Sequence, residues 1–165
     1  MKVDFSIGNA NTDNMEAPHL LIGLFSRFNN SFQAAADLLF EELSWKQEFF
    51  MNCVTLFPEA PTIKDMAELI GCSHQNAKQI LSKLEKLGYL QVWQDSTDKR
   101  KQRIVLTEKA VEFRKQYEIP IEQAMQQLFS GMSEEAIVSM VKSLSQLIAN
   151  VNRMKEIQNE NNSNL

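Results

Sequence analysis

The sequence predicts a mainly α protein with one small β-hairpin near its middle, on three observations. Apolar residues recur every three or four positions over most of the 165 residues, the period of helices with one buried face. The period shortens only in YLQVW and QRIVLT, two β-prone runs on either side of the polar stretch QDSTDKRK. Pro58, Gly71 and Gly88 stand where one periodic run gives way to the next.

Residues 1–17 have no apolar period and are rich in Asn, Asp and Met, which predicts a flexible arm. A helix begins at Pro18 and fills the segment 18–44, with Leu21, Leu24, Phe25, Phe28, Phe32, Ala35, Ala36 and Leu39 on one stripe. Ser44 is placed to cap a second helix over about 45 to 57, where Phe50, Met51, Val54 and Phe57 repeat the spacing before Pro58 stops it. Thr62, with Asp65 three residues on, opens a short third helix whose apolar side is Ile63, Met66, Ala67, Leu69 and Ile70. After Gly71 and Cys72, Ser73 caps a fourth over 73–87, with Ala77, Ile80, Leu81, Leu84 and Leu87 inward and Gly88 ending it. Two short helices around a tight Gly-containing turn make a helix-turn-helix. The hairpin that follows at 90–106 completes an α+β winged helix-turn-helix over 45–107.

The segment 108–157 predicts two long helices. The first, Glu108 to Phe129, carries Pro120 inside it, so a kink near Tyr117 to Pro120 is expected. The second, 133–157, repeats Ile137, Met140, Val141, Leu144, Leu147, Ile148, Val151 and Met154 at helical spacing. Such a stripe is longer than one small domain covers, and it predicts a helical dimer interface together with the Phe-rich first helix. Residues 158–165 read as a disordered tail by composition.

Charge is unevenly distributed. The chain carries −4 overall, yet Thr62 to Thr107 holds eight Lys and Arg against five acids, a local +3 that leaves −7 for the rest. A basic middle within an acidic chain predicts a segment that faces a polyanion. No apolar run reaches the roughly 18 to 20 residues a membrane helix needs, and the N-terminus lacks a basic start and apolar stretch, so the expectation is a cytoplasmic protein without membrane association. Two cysteines form no disulfide framework. Cys72 is expected as buried packing, and Cys53, at the outer edge of its stripe, is the better thiol-sensor candidate. His19 and His74 lie far apart and no Cys/His cluster exists, so no metal or other cofactor is expected. No Ser/His/Asp set, P-loop or dinucleotide fingerprint appears, and catalysis is not expected.

The stretches LSWKQEFF, TIKDMAELIGCSHQNAKQILSKLEKLGYL and DSTDKRKQRIVLTEK resemble, in order and spacing, the MarR family of bacterial transcription regulators, over about residues 18 to 155. The most specific part is the wing, where Asp95, Asp98 and Arg100, followed by Leu106-Thr107, look like that family's Asp-x-x-Asp-x-Arg and Leu-Thr signature. The sequence departs from the pattern at Val92, where relatives often carry Arg, at Ala110, and in the fourth helix at His74, Lys78 and Gln79. The resemblance implies a homodimer of terminal helices, no enzymatic activity, and a repressor that binds double-stranded DNA as a pseudo-palindromic operator.

In that fold the fourth helix enters the major groove and the wing reaches the minor groove. Its exposed positions are Ser73, His74, Gln75, Asn76, Lys78, Gln79, Ser82 and Lys83. Gln75, Asn76, Lys78 and Gln79 suit base edges, and Ser73 at the helix start suits a phosphate oxygen. Arg100 is the candidate for minor-groove insertion, with Lys99, Lys101 and Arg103 as phosphate contacts and Asp95 and Asp98 bracing the wing. Relatives commonly respond to a small molecule, and Phe25, Phe28, Trp45, Phe49, Phe50 and Tyr117 are candidates to line a pocket for a small apolar or aromatic effector. The alternative from another class is a degenerate winged helix serving as a protein-interaction module, supported by the departures at Val92 and in the fourth helix.

Overall fold

The structure, a computed structural model, describes residues 15–163. Six helices and one antiparallel hairpin follow in the order α1 (Ala17–Asp37), α2 (Trp45–Val54), α3 (Ile63–Ile70), α4 (His74–Lys86), β1 (Leu90–Gln94), β2 (Gln102–Leu106), α5 (Glu108–Leu128) and α6 (Glu134–Ser163). Residues 1–14 of the expected arm lie outside the described residues. Pro18 sits in the first turn of α1, where its missing N–H costs nothing.

Local sequence sets the ends of the short helices. Gln47 reaches back to accept from the Ser44 N–H at 2.9 Å, and Asp37 accepts from the Trp45 N–H at 2.6 Å, so α2 starts at its expected residue. It ends at Val54, three residues short of the expected 57, because Thr55 and Leu56 turn back onto Asn52 and Cys53. Thr62 and Asp65 satisfy each other's backbone N–H groups at the start of α3. Gly71 then takes a left-handed conformation, φ +72°, that the tight turn into α4 requires.

The chain divides into two compact units, one up to Pro120 and one from Ile121. In the first, α2 packs on α3, α4 and β2. Phe50, Met51, Met66, Ala77, Leu84, Leu90 and Ile104 form its fully buried centre. The strands pair from Leu90 opposite Leu106 to Gln94 opposite Gln102, and Leu90 and Ile104 point into the core. Outside the hairpin the Ile104 N–H donates to the Pro61 carbonyl at 2.9 Å, which stitches β2 to the segment before α3. On α1 only Leu20 and Ala36 are buried, while Leu21 and Phe28 of the expected stripe are exposed.

The second unit consists of the end of α5, a turn through Gly131 and α6. The expected disordered tail 158–165 is corrected over its described part, because α6 continues to Ser163. Nothing after Gly131 is Pro or Gly, and extending an existing helix needs no new nucleus. Val138, Val141, Leu144, Ile148, Val151 and Met154 of α6 are exposed in a single chain. No helix of the described residues is long and apolar enough to cross a membrane.

Leu84 lies on the inner face of α4 with no exposure. Leu84→Ala is expected to lower unfolding free energy by about 3 kcal/mol, measured by urea denaturation. A change below about 1 kcal/mol would mean that this core does not hold α4.

Candidate nucleic-acid interface

α4 presents one polar face. His74, Gln75, Asn76, Lys78, Gln79, Ser82 and Lys83 are all exposed, while Ala77, Leu81 and Leu84 face the core. Ser73 Oγ accepts from the Asn76 N–H at 3.2 Å, so the hydroxyl hydrogen remains able to donate outward.

The wing tip is a compact turn built around two carboxylates. Asp95 Oδ1 accepts from the Thr97 N–H, the Thr97 hydroxyl and the Asp98 N–H at 2.7–2.9 Å, and Asp95 Oδ2 accepts from Arg103 Nε at 2.6 Å. These donors, led by the Asp98 N–H, hold the Asp95 carboxyl far below the usual carboxylate range. Asp98 Oδ1 accepts from both the backbone N–H and Nε of Arg100 at 3.1 and 3.2 Å, and Oδ2 lies 3.9 Å from Lys101 Nζ. The Arg100 contacts lead in lowering the Asp98 carboxyl as well. The Arg100 side chain, 92% exposed, stands at the tip and is pre-aimed by Asp98.

Arg103, expected among the phosphate contacts, is bonded within the protein. Besides the bond to Asp95, its Nη1 donates to the Ala60 carbonyl at 2.9 Å, and its side chain is three-quarters buried. It ties the wing to the segment before α3. Lys99, Arg100 and Lys101 remain exposed.

Between the start of α3, the start of α4 and the wing lies a groove of about 650 Å3. Lys64, His74, Lys78, Arg100 and Lys101 line it, with Thr62, Asp65 and Arg103. The arrangement brings the N-terminal part of the expected reading helix and the wing cations onto one concave basic surface. Gln75, Asn76, Gln79, Lys83 and Lys99 lie outside its lining. Lys64 was missed in the sequence, since nothing local to α3 indicates that the wing folds over its first turn.

Two further features could not be read from the chain. The Thr107 hydroxyl donates toward the Gly88 and Tyr89 carbonyls at 2.7 and 3.1 Å and accepts from the Ala110 N–H at 3.3 Å, so the Leu-Thr pair joins the start of α5 to the turn after α4. Lys109 Nζ donates to the Leu87 carbonyl at 3.1 Å and to Glu42 at 3.3 Å.

The six expected pocket aromatics do not assemble into one site. Phe28 stacks on Phe32, Phe32 meets Trp45 edge-on and Trp45 stacks on Phe49, a continuous ladder. Phe25 is half-buried on α1, while Phe50 is fully buried in the core. Tyr117 belongs instead to a second cluster with Phe40, Phe113 and Tyr89. The cysteine expectation is reversed: Cys53 is 2% exposed and burial pushes its thiol up, whereas Cys72 is half-buried. The side of α2 that carries Cys53 is covered by other helices, a long-range fact that its own spacing cannot reveal.

Comparisons with known proteins agree on the architecture. The family model described as "Sugar transport-related sRNA regulator N-term" matches residues 47–162. No curated protein matches the sequence. Among solved structures, the MarR/EmrR family transcriptional regulator from Acinetobacter sp. ADP1 is similar at a TM-score of 0.75 with 15% identity, over 84% of this chain and 99% of that one. The MepR–DNA complex of S. aureus gives 0.70 with 18% identity over 83% and 99%. PcaV of Streptomyces coelicolor, solved with its natural ligand, gives 0.70 with 14% identity over 87% and 98%.

Asp95 has a depressed carboxyl, so its stabilising contribution is complete above the unfolded value near 4 and fades as pH falls below it. Wild type is expected to melt above Asp95→Asn at pH 7, with the gap starting to narrow below about pH 4 and shrinking further as pH falls toward the depressed folded value. Thermal unfolding followed by circular dichroism reads this, and a gap that stays constant with pH would refute the charge-based account.

Proposed function

Because the chain belongs to the family described as "Sugar transport-related sRNA regulator N-term" and has the winged helix-turn-helix fold of MarR-type regulators, we propose that it is a homodimeric DNA-binding transcription regulator of the cytoplasm, acting as a repressor. The observation that carries this reading is the concave basic groove in which the wing and the start of α4 converge. α4 enters the major groove, with Gln75, Asn76, Lys78 and Gln79 against base edges and Ser73, His74 and Lys83 near phosphates. Arg100 enters the minor groove, with Lys99, Lys101 and Lys64 on the backbone. Arg103 supports the wing from behind.

The uncovered stripe of α6 and the exposed apolar residues of α1 supply the surface for a second copy. Two-fold pairing sets two α4 helices roughly one DNA turn apart, about 34–36 Å, and calls for a pseudo-palindromic operator. The ladder Phe28–Phe32–Trp45–Phe49 offers a face for a flat apolar effector that releases the DNA. The same fold in MepR is solved with DNA and in PcaV with a ligand, which supports both halves of this reading.

An anisotropy titration with DNA from upstream of the protein's own gene, at two salt concentrations, tests the regulator. Arg100→Ala is expected to weaken binding about tenfold and to reduce the salt slope by about 1. Sequence-indifferent binding that the substitution leaves unchanged would favour the protein-interaction alternative. Separately, Val141→Glu with Leu144→Glu, both at exposed positions, is expected to give a folded monomer by light scattering. A dimer that survives both charges would place the interface elsewhere.

A further inference from the structure

We propose, on the basis of the DNA-binding reading, that Trp93 on the outer strand of the wing is a further DNA contact, packed on the sugar-phosphate backbone along the far wall of the minor groove that Arg100 enters. The order of the strands places it there. β2 bonds the segment before α3 through Ile104 and Pro61 and pairs with β1 on its other side, so β1 is the outer strand. The basic groove takes its wing lining from Arg100, Lys101, Gln102 and Arg103, none of them on β1. Trp93 is 57% exposed on that strand. Its cross-strand partner is Arg103, whose guanidinium is engaged by Asp95 and the Ala60 carbonyl and not by the ring. Among the described residues the indole N–H has no hydrogen-bond partner.

DNA geometry supplies the occupant. With α4 in a major groove and Arg100 in the adjacent minor groove, the backbone strand that separates the two grooves of the duplex lies in the basic groove between them. The complementary strand forms the other wall of the minor groove and runs along the opposite flank of the wing, which is the flank of β1. A ribbon of two strands about 4.8 Å apart, with side chains on it, is too broad for a minor groove about 6 Å wide, so the tip enters and the strands stand against the rims. Trp93 is two residues before Asp95, about 7 Å back from the start of the tip turn, at the level of a rim.

The chemistry of this flank fits that partner. An indole offers a flat apolar face to a deoxyribose ring and one N–H to a phosphate oxygen. Gln91 and Gln94, exposed on the same strand, are uncharged amides with donors of their own. The two acids of the hairpin are already paired, Asp95 with Arg103 and Asp98 with Arg100 and Lys101. No free carboxylate on the hairpin therefore repels a phosphate chain.

The test is titration of the full chain with duplex DNA from upstream of its own gene at low and at moderate salt, read by anisotropy of labelled DNA and by acrylamide quenching of tryptophan emission. Trp93→Ala is expected to weaken binding at least about fivefold and to leave the salt slope unchanged, since an uncharged contact releases no counterion, whereas Arg100→Ala lowers that slope. DNA is expected to shield the emission of wild type from acrylamide but not that of Trp93→Phe, in which Trp45 is the remaining tryptophan. If Arg100→Ala weakens binding while Trp93→Ala binds as tightly as wild type, or if DNA shields Trp93→Phe as much as wild type, the contact is overturned and the regulator stands. Absence of binding by wild type at either salt overturns both. Shielding that rises with protein concentration in the absence of DNA assigns the ring to a contact between copies of the chain and overturns the proposal as well.

Discussion

Arg103 is the joint on which the interface depends. One side of its guanidinium holds Asp95 at the neck of the wing tip, and the other holds the Ala60 carbonyl in the segment that leads into α3. The adjacent Ile104 N–H bonds Pro61, so β2 gains a partner on its outer edge as well as β1. A two-stranded ribbon is marginal by itself. Docked through these bonds and through buried Leu90 and Ile104, it becomes a fixed wall of the groove. Lysine cannot replace arginine here, since a single ammonium lacks the planar fork that spans two acceptors at set angles. The ion pair is shielded enough for breaking one side to leave a costly charge, so its chief effect is to fix geometry.

α4 is constrained at its C-terminal end by a different set of bonds. Gly88, at φ +78°, turns the chain out of α4 and lets the Tyr89 N–H reach the Leu84 carbonyl. Thr107 then gathers the Gly88 and Tyr89 carbonyls and the first turn of α5 on one hydroxyl, and Lys109 takes the Leu87 carbonyl. One carbonyl that α4 leaves unpaired at its C-terminus, that of Leu87, is thus used to attach α5, together with those of the turn that follows. The start of α5 is bonded to the end of α4 and the turn after it by three direct side-chain contacts. The N-terminal end of α4 carries only its Ser73 cap and opens onto the groove.

What the sequence made legible was decided by neighbours in the chain. The caps at Ser44, Thr62 and Ser73 and the turns at Gly71 and Gly88 rest on contacts within five residues, and they stand where spacing put them. The clustering of Arg100 with Asp98 was equally local. What was not legible depends on which elements face each other. Cys53 and Cys72 exchanged environments because α2 is covered on the side its own stripe left open. Tyr117 parted from Trp45 and Phe49 because α5 presents it to Phe40 and Phe113. Arg103 looked like one more wing cation, and only the approach of Ala60, forty-three residues earlier, shows it facing inward.

The same sorting explains how a chain with net charge −4 carries a surface fit for a polyanion. Acids more than about 10 Å from the groove are screened at physiological salt and repel DNA little. Those within the basic segment are the ones that matter, and three of its five are already engaged. Asp65 caps α3, and the Thr62 N–H leads in lowering its carboxyl; Asp95 is surrounded by four donors; Asp98 pairs with Arg100 and Lys101. Each of these charges is paired with N–H groups or cations. The field at the mouth of the groove is therefore set by Lys64, Lys78, Arg100 and Lys101 more than the count along the chain suggests. Folding turns a mixed run of charges into acids that shape the wing and bases that project from it.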